Sequence, residues 1–211
     1  MKLKRFTKTQ YQKFSQAEGS QYIASEYALF RILKLIEKFK PKNILEVGAG
    51  IGTISDSILK FNFPQDIQLF ASEADNFCLE KLPENLGGDF SKLKLFPHIA
   101  DLPHEAIFDF VIIDGKEEHL TSVKNMLSKN AIIVVEGDRK DQTDTLRKLF
   151  PSSKFVHSIS RLKNSFYSNR PSNNFQGGLK IIFTNPDLEQ NLYWLKLKIN
   201  SKINFQFRKL G

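Results

Sequence analysis

Residues 43–53 read Asn-Ile-Leu-Glu-Val-Gly-Ala-Gly-Ile-Gly-Thr. The first five residues form an apolar run interrupted only by Glu46 after the initial Asn43, which is typical of a strand buried on both faces. The run then breaks into three glycines, and residues 53–61 place apolar side chains at helical spacing. Because glycine has no Cβ, it can take a positive φ and let a ligand approach the main chain. The stretch therefore predicts a strand, a glycine turn and a helix, with a nucleotide site at the turn.

The spacing of the glycines distinguishes two cofactor classes. The dinucleotide fingerprint of dehydrogenases is G-x-G-x-x-G, whereas Gly48, Gly50 and Gly52 form G-x-G-x-G behind the acidic Glu46. This segment resembles the first motif of class I S-adenosylmethionine-dependent methyltransferases. The resemblance implies a seven-stranded sheet that holds the cofactor at the end of the first strand. A tight turn in another α/β protein is the competing interpretation of the three glycines alone.

Acidic residues follow the next two predicted strands. The second strand, at residues 67–71, precedes Glu73, which lies close to the interval after the glycines at which an acid meets ribose hydroxyls. Its alternative role is that of an acid at a helix N-terminus, which Asp75 already provides. The third strand, around residues 93–96, leads to Asp101. In the family that the chain resembles, an acid in this place accepts a hydrogen bond from the adenine amino group, although Asp101 could also be an ordinary loop residue.

The fourth predicted strand strengthens the resemblance. Residues 108–113 read Phe-Asp-Phe-Val-Ile-Ile and end in Asp114 and Gly115. This resembles the Phe-Asp-x-Val-x-x-Asp segment of many small-molecule class I methyltransferases, including catechol O-methyltransferase-like enzymes. Open α/β sheets bind ligands at the carboxyl ends of their strands, and the glycine turn, Glu73, Asp101 and Asp114 come in the order that the family fold requires.

We therefore predict a single α/β domain with a seven-stranded, mostly parallel sheet, helices on both faces and an antiparallel last strand. Residues 1–18 are predicted to form a basic extension, residues 19–184 the methyltransferase domain, and residues 185–211 a C-terminal helix and basic tail. An alternating pattern at residues 195–207 leaves a hairpin open as the alternative to this last helix. Further helices are expected at residues 21–39, 75–82, 117–127 and 141–150, and further strands at residues 131–135, 154–159 and 179–183.

The connection between the sixth and seventh strands, residues 160–178, is unusually long. It contains Arg161, Lys163 and Arg170 with no acid, interleaved with aromatic residues. Such a length is typical of a functional loop, and a hairpin tip at the surface is the alternative.

The length and composition of the chain limit the class of protein to which it can belong. The 211 residues and 24.3 kDa suit one domain, and the single cysteine, Cys78, excludes an intrachain disulfide and a multi-cysteine zinc site. Without a signal-like start or a run of about 20 apolar residues, we expect a soluble, cytoplasmic protein with no membrane partner. The oligomeric state is left open.

The net charge of +8 arises at the two ends of the chain. Ten basic residues precede Glu18 or follow Glu189, and the residues between them are nearly neutral. Basic ends could contact nucleic acid, but we favour solvated tails that aid solubility.

The resemblance implies S-adenosylmethionine as cofactor. The residues expected to bind it are Glu46, Gly48, Ala49, Gly50, Gly52, Glu73, Ala74, Ala100, Asp101 and Asp114. Methyl transfer is an in-line displacement, so the protein must align the acceptor and accept its proton. Asp114 and His119 are the candidate catalytic residues.

The favoured acceptor is the hydroxyl of a small molecule, possibly a sugar. The chain lacks the Asn/Asp-Pro-Pro-Tyr type of motif of amino-directed nucleic-acid methyltransferases and has no cysteine placed as a cytosine-C5 nucleophile. The alternatives are an RNA methyltransferase that uses the basic termini and an inactive, cofactor-binding interaction module. We expect no metal, because Glu136-Gly137 stands where catechol O-methyltransferase-like enzymes have an Asp-Asn pair of magnesium ligands.

Overall fold

The computed structural model describes residues 2–210, and its centre is one seven-stranded sheet. The strands are β1 (Asn43–Val47), β2 (Gln68–Ser72), β3 (Leu93–Phe96), β4 (Phe108–Ile113), β5 (Leu127–Glu136), β6 (Lys154–Ser158) and β7 (Leu179–Phe183). Their order is β3-β2-β1-β4-β5-β7-β6, with β7 antiparallel to both neighbours and the other pairs parallel. The predicted fold class is confirmed.

The register aligns the ends of the central strands. Val47, the last residue of β1, lies opposite Ser72 at the end of β2 and Ile113 at the end of β4. The segments that follow these three strands therefore leave the sheet at the same edge. Strand order also reverses beside β1, which is where open α/β sheets form a ligand crevice.

Helices cover both faces of the sheet. They are α1 (Lys2–Ser15), α2 (Glu26–Phe39), α3 (Thr53–Lys60), α4 (Asn76–Leu86), α5 (Lys140–Leu149) and α6 (Leu188–Leu210). Buried side chains from α1, α2, α3, α4 and α6 share one core with one sheet face, and α5 with two short 3-10 helices covers the other. None of the helices in residues 2–210 is long and apolar enough to cross a bilayer.

The predicted N-terminal extension is mostly helix α1, which packs on the body of the protein. Leu3, Tyr11 and Phe14 are buried in the shared core. Lys13 pairs at 3.0 Å with Asp56 of α3, whose side chain is fully buried. The expectation of a solvated tail is therefore wrong for residues 2–15.

Three predicted helices also differ from the structure. Helix α2 begins at Glu26 and not at residue 21, because Ser25 caps it in an extended conformation and residues 20–22 form a separate 3-10 helix. The helix expected at residues 117–127 is a 3-10 helix, Leu120–Met126, because side chains there bond the main chain: the His119 N–H donates to Glu117 Oε1 at 2.8 Å. Helix α4 does not stop at Pro83 but continues to Leu86, since one lost hydrogen bond in the last turn is tolerated before Gly87 caps the helix.

The C-terminal segment is helical to Leu210, so the hairpin alternative is wrong. Leu197 and Gln190 are buried, and Trp194 donates from its indole N–H to the carbonyl of Phe155 at 2.8 Å. Helix α6 thereby packs along the edge strand β6.

Candidate functional site

The glycine turn after β1 is held against the segment after β4. The Val47 carbonyl accepts the N–H groups of Asp114 at 2.8 Å and Gly115 at 2.7 Å. Gly48 has φ 83°, and a Cβ there would lie 2.4 Å from the Gly115 Cα. Gly50, with φ 55°, lines a cavity at this edge of the sheet, as Gly48 also does. Gly48 therefore permits a close main-chain contact with Gly115, and both glycines leave the main chain open to a ligand.

Glu73 connects the glycine turn to the end of β2. Its Oε2 accepts the Gly50 N–H at 2.7 Å, and its Oε1 accepts the N–H groups of Ala74 and Asp75, each at 2.9 Å. An ionised carboxylate has about four acceptor positions, so Oε2 keeps one for a further hydroxyl donor.

Glu46 lies inside the protein, where β1 meets α3. It is buried, and the Ser55 hydroxyl donates a hydrogen bond to its carboxyl group. Burial raises the pKa of Glu46 to about 8, and the negative charge of Glu73 acts in the same direction. Glu46 therefore links the strand to the helix.

A cluster of charged residues follows β4 and β5. Burial raises the pKa of Asp114 well above its usual value, the Glu136 carboxylate adds to this rise, and Arg139 opposes it from 3.8 Å. Arg139 also donates to the main-chain carbonyls of Asp114, Gly115 and Glu136. The guanidinium thereby ties the ends of the two strands together. The N–H of Ser25, the N-cap of α2, donates to Glu136 Oε1 at 3.2 Å.

Two adjoining cavities open at this edge of the sheet. The first, of about 510 Å³, is lined by Val47, Gly48, Ser72, Glu73, Ala74, Pro97, His98, Ala100, Gly115, Lys116, Glu117, Glu118 and His119. The second, of about 360 Å³, is lined by Gln21, Tyr22, Ile23, Gly48, Gly50, Glu73, Asp75, Cys78, Asp114, Gly115, Glu136, Gly137, Arg139 and Arg170. Gly48, Glu73 and Gly115 line both cavities.

The predicted site residues divide between these cavities. The first contains Gly48, Glu73, Ala74, Ala100 and His119. The second contains Gly48, Gly50, Glu73 and Asp114. The two candidate catalytic residues, Asp114 and His119, therefore line different cavities.

Four predicted cofactor residues line neither cavity, namely Glu46, Ala49, Gly52 and Asp101. The Asp101 carboxylate accepts the His98 N–H at 3.1 Å in an exposed 3-10 turn. A Cβ on Gly52 would lie 2.4 Å from Leu86 Cδ1, so this glycine lets α4 pack closely.

Several residues of the second cavity were not predicted as site residues, and Tyr22, Arg139 and Arg170 are among them. Tyr22 comes from a 3-10 turn before α2, Arg139 from the turn after β5, and Arg170 from the 160–178 loop. Arg170 could have been proposed as a site residue from the sequence, because the loop carries three cations and no acid. No sequence pattern marks the other two, because tertiary contacts bring them to the cavity.

Across residues 2–210, no three His, Cys, Asp or Glu side chains converge as a metal site would require. Asp138, the next carboxylate after Glu136 and Gly137, is exposed.

The sheet order is that of the Rossmann-like fold of class I S-adenosylmethionine-dependent methyltransferases, and solved structures of such methyltransferases are similar to this chain. The O-methyltransferase TomG of Streptomyces achromogenes, solved with S-adenosylmethionine, is 14% identical, with 88% of this chain and 91% of that one covered and a TM-score of 0.54. An O-methyltransferase of Bacillus cereus, solved with S-adenosylhomocysteine, is 12% identical over 85% and 90%, with a TM-score of 0.55.

A protein of Pyrococcus horikoshii assigned as an RNA methyltransferase is similar to the same degree. It is 14% identical, with 86% of this chain and 98% of that one covered and a TM-score of 0.57. Neither a family model nor a curated protein matches the sequence. The likeness therefore concerns the fold, and the chemistry has to be argued from the site.

Proposed function

We propose that this protein is an S-adenosylmethionine-dependent methyltransferase that acts on a hydroxyl group of a small molecule. The observation that carries the proposal is the shared wall of the two cavities at Gly48, Glu73 and Gly115. A cofactor in the first cavity can present its reactive end to an acceptor in the second. Two of the structures with this fold were solved with S-adenosylmethionine or S-adenosylhomocysteine, which supports the choice of cofactor.

The residues at the first cavity fit this cofactor. Its volume of about 510 Å³ is within the usual range of ligand pockets, roughly 300–1,000 Å³. Glu73 keeps an acceptor position for a ribose hydroxyl, and its negative charge suits a cationic ligand. S-adenosylmethionine supplies an electrophilic methyl group on a positively charged sulfur.

The second cavity suits a polar acceptor. Tyr22, Arg139 and Arg170 offer hydrogen-bond donors, and Asp114 and Glu136 offer acceptors. A hydroxylated molecule, possibly a sugar, can satisfy both kinds of group. Asp114 is our choice for the base that receives the acceptor proton, because burial raises its pKa towards the range in which a carboxylate takes up protons readily. His119 lines the cavity assigned to the cofactor.

An RNA acceptor is the second candidate, favoured by one observation. Helix α1 carries exposed cations and touches the basic 160–178 loop, where Tyr11 Oη lies 2.8 Å from Ser168 Oγ and Lys8 lies over the Tyr167 ring. These two basic segments thus form one surface that a phosphate backbone could follow.

Binding and transfer are tested separately. Titration calorimetry should show S-adenosylmethionine binding more tightly than NAD, and tighter NAD binding would overturn the cofactor assignment. Transfer of a labelled methyl group should then occur to members of a panel of sugars, phenols and other small hydroxyl compounds. Transfer to RNA instead would establish the second candidate, and tight cofactor binding without transfer to any acceptor would favour the inactive interaction module.

A further inference from the structure

Helix α6 carries an apolar stripe on its exposed side. The residues of this stripe recur every three or four positions and therefore share one face: Leu188, Leu192, Leu195, Ile199, Ile203, Phe207 and Leu210. Each is between 47% and 85% exposed. The opposite face, with Leu197 and Trp194, packs on the sheet. The helix thus has a second apolar face that, among residues 2–210, is left largely exposed, with the Arg161 guanidinium lying over the Phe207 ring.

The charges on the same helix have one sign. Glu189 is the only acid in α6, and it is paired with Lys38 of α2. The other charged residues are all cations, namely Lys196, Lys198, Lys202, Arg208 and Lys209. An apolar stripe flanked by lysines is the pattern of a helix that lies in the interface of an anionic membrane.

A groove beside the stripe is also lined by apolar side chains and cations. It has a volume of about 890 Å³ and lies between β6 and α6, lined by Phe155, Val156, His157, Ile159, Lys198, Ser201, Lys202, Phe205, Gln206, Arg208 and Lys209. Apolar side chains and cations line it together, and no acid does. The pKa of His157 is lowered, first by burial and then by the positive charges of Lys180 and Arg208. The groove therefore suits a ligand with an apolar part and a negative charge.

We propose that the exposed face of α6 docks this protein on the surface of an anionic lipid bilayer. The apolar stripe enters the boundary between headgroups and acyl chains, the lysines contact anionic headgroups, and the groove accommodates a lipid molecule. The helix lies on the bilayer and does not span it, in keeping with its five cations.

The charge pattern argues against the two other occupants of such a face. Two copies of the chain meeting along the stripe would bring both sets of cations together, and Glu189 is already paired with Lys38. RNA would be attracted by the lysines, but Leu195, Ile199 and Ile203 offer neither charge nor an aromatic face to a nucleotide.

Co-sedimentation of the full chain with vesicles tests the proposal. We expect binding to vesicles that contain phosphatidylglycerol and phosphatidylcholine, much weaker binding to phosphatidylcholine alone, and a loss of binding at high salt. Replacing Leu195, Ile199 and Ile203 together by serine should weaken binding at least roughly tenfold, because these side chains would no longer leave water. Replacing Lys198 and Lys202 by glutamine should weaken it by roughly fivefold for each lysine.

Phe166→Ser is the matched control, because Phe166 is an equally apolar side chain that is 90% exposed and belongs to the 160–178 loop, not to α6. It should bind vesicles as the unaltered chain does. Circular dichroism checks that each variant is folded. Equal binding to neutral and anionic vesicles, or unchanged binding by the triple serine variant, would overturn the proposal. So would a dimer in light scattering that the same serine substitutions dissociate, since it would identify the stripe as a contact between copies.

Discussion

Gly48 and Gly115 meet main chain to main chain at the edge of the sheet. A Cβ on Gly48 would lie 2.4 Å from both the Cα and the N of Gly115, and a Cβ on Gly115 would lie 2.8 Å from the Gly48 Cα. Both residues line both cavities. The contact therefore sets the geometry of the wall between the proposed cofactor and acceptor positions, and neither glycine can be exchanged without moving main chain.

Gly48→Ala should destabilise the protein by roughly 2–5 kcal/mol, because it adds a methyl group where main chain already lies and forces a positive φ on a residue with a side chain. Urea unfolding measures the loss. Gly88→Ala is the control, since a Cβ there has nothing within 4 Å. Equal stability of the two variants would show that the main chain around Gly48 and Gly115 has room for a methyl group.

Glu73→Ala should weaken S-adenosylmethionine binding roughly 10–100-fold, because it removes a charged acceptor for the ribose and the bond that holds the Gly50 N–H. Glu73→Gln should weaken S-adenosylmethionine binding less than Glu73→Ala does, since the glutamine amide oxygen still accepts one hydrogen bond. Calorimetry provides the dissociation constants. Glu80→Gln, an exposed change on α4, should leave binding as it is. An unchanged affinity in Glu73→Ala would remove this residue from the cofactor site.

Glu46 should make the protein less stable as the pH rises. Its pKa is about 8 in the folded state against an ordinary value of 4.5, so between these values the folded state keeps a proton that the unfolded state releases. Each such group lowers the free energy of unfolding by about 1.4 kcal/mol per pH unit. Asp114, whose pKa is also raised, acts in the same direction.

Glu46→Gln should flatten part of this dependence, because glutamine still accepts the Ser55 hydroxyl but does not ionise. Unfolding in urea at several values between pH 5 and pH 8 measures the slope, with Glu80→Gln as the control. A slope as steep as that of the unaltered protein would mean that Glu46 is ionised in the folded state.

Asp114→Asn should lower kcat roughly a hundredfold or more, because asparagine cannot take up the acceptor proton. Activity of the unaltered enzyme should fall as the pH is lowered through the raised pKa of Asp114, since the base must be ionised to act. His119→Ala should instead affect mainly the KM for S-adenosylmethionine, because His119 lines the first cavity. His104→Ala, an exposed histidine, is its control. A larger loss of kcat in His119→Ala than in Asp114→Asn would reverse the two roles.

Transfer should proceed without a divalent metal. The Arg139 guanidinium lies 3.8 Å from Asp114 Oδ1, and Gly137 has no side-chain oxygen to offer a cation. Activity should therefore persist within about twofold after exhaustive EDTA treatment. Loss on chelation with recovery on adding magnesium would contradict this and make Asp114, Glu136 and Asp138 the candidate ligands.

The central half of the sheet could be predicted because its signals are local. The apolar strand and the glycines of residues 43–53, and the apolar run of residues 108–113 before Asp114, each specify their own conformation. The 3-10 helix at Leu120–Met126 could not be predicted, because side-chain bonds from Glu117 and Ser122 to the main chain compete with the apolar pattern.

Cavity-lining residues could be predicted where they directly follow a strand. Glu73 and Asp114 stand at strand ends, and both line the cavities. Tyr22 and Arg170 are separated by almost 150 residues in the chain, and contacts of the 160–178 loop with α1 and with the Ser20 carbonyl bring them to one cavity. The basic N-terminus was misjudged for a related reason, since its buried Leu3 and Phe14 have partners far away in the sequence.

The contacts of Arg208 limit which segments can be exchanged between related proteins. The Arg208 guanidinium donates to the carbonyl of Ser160 at 2.6 Å and to that of Gln176 at 2.8 Å, so one side chain of α6 binds both ends of the loop that brings Arg170 to the second cavity. The loop is therefore not a self-contained module. A chimera that receives this loop without the last turn of α6 would receive an open segment with more conformational entropy, so the two pieces have to be transplanted together.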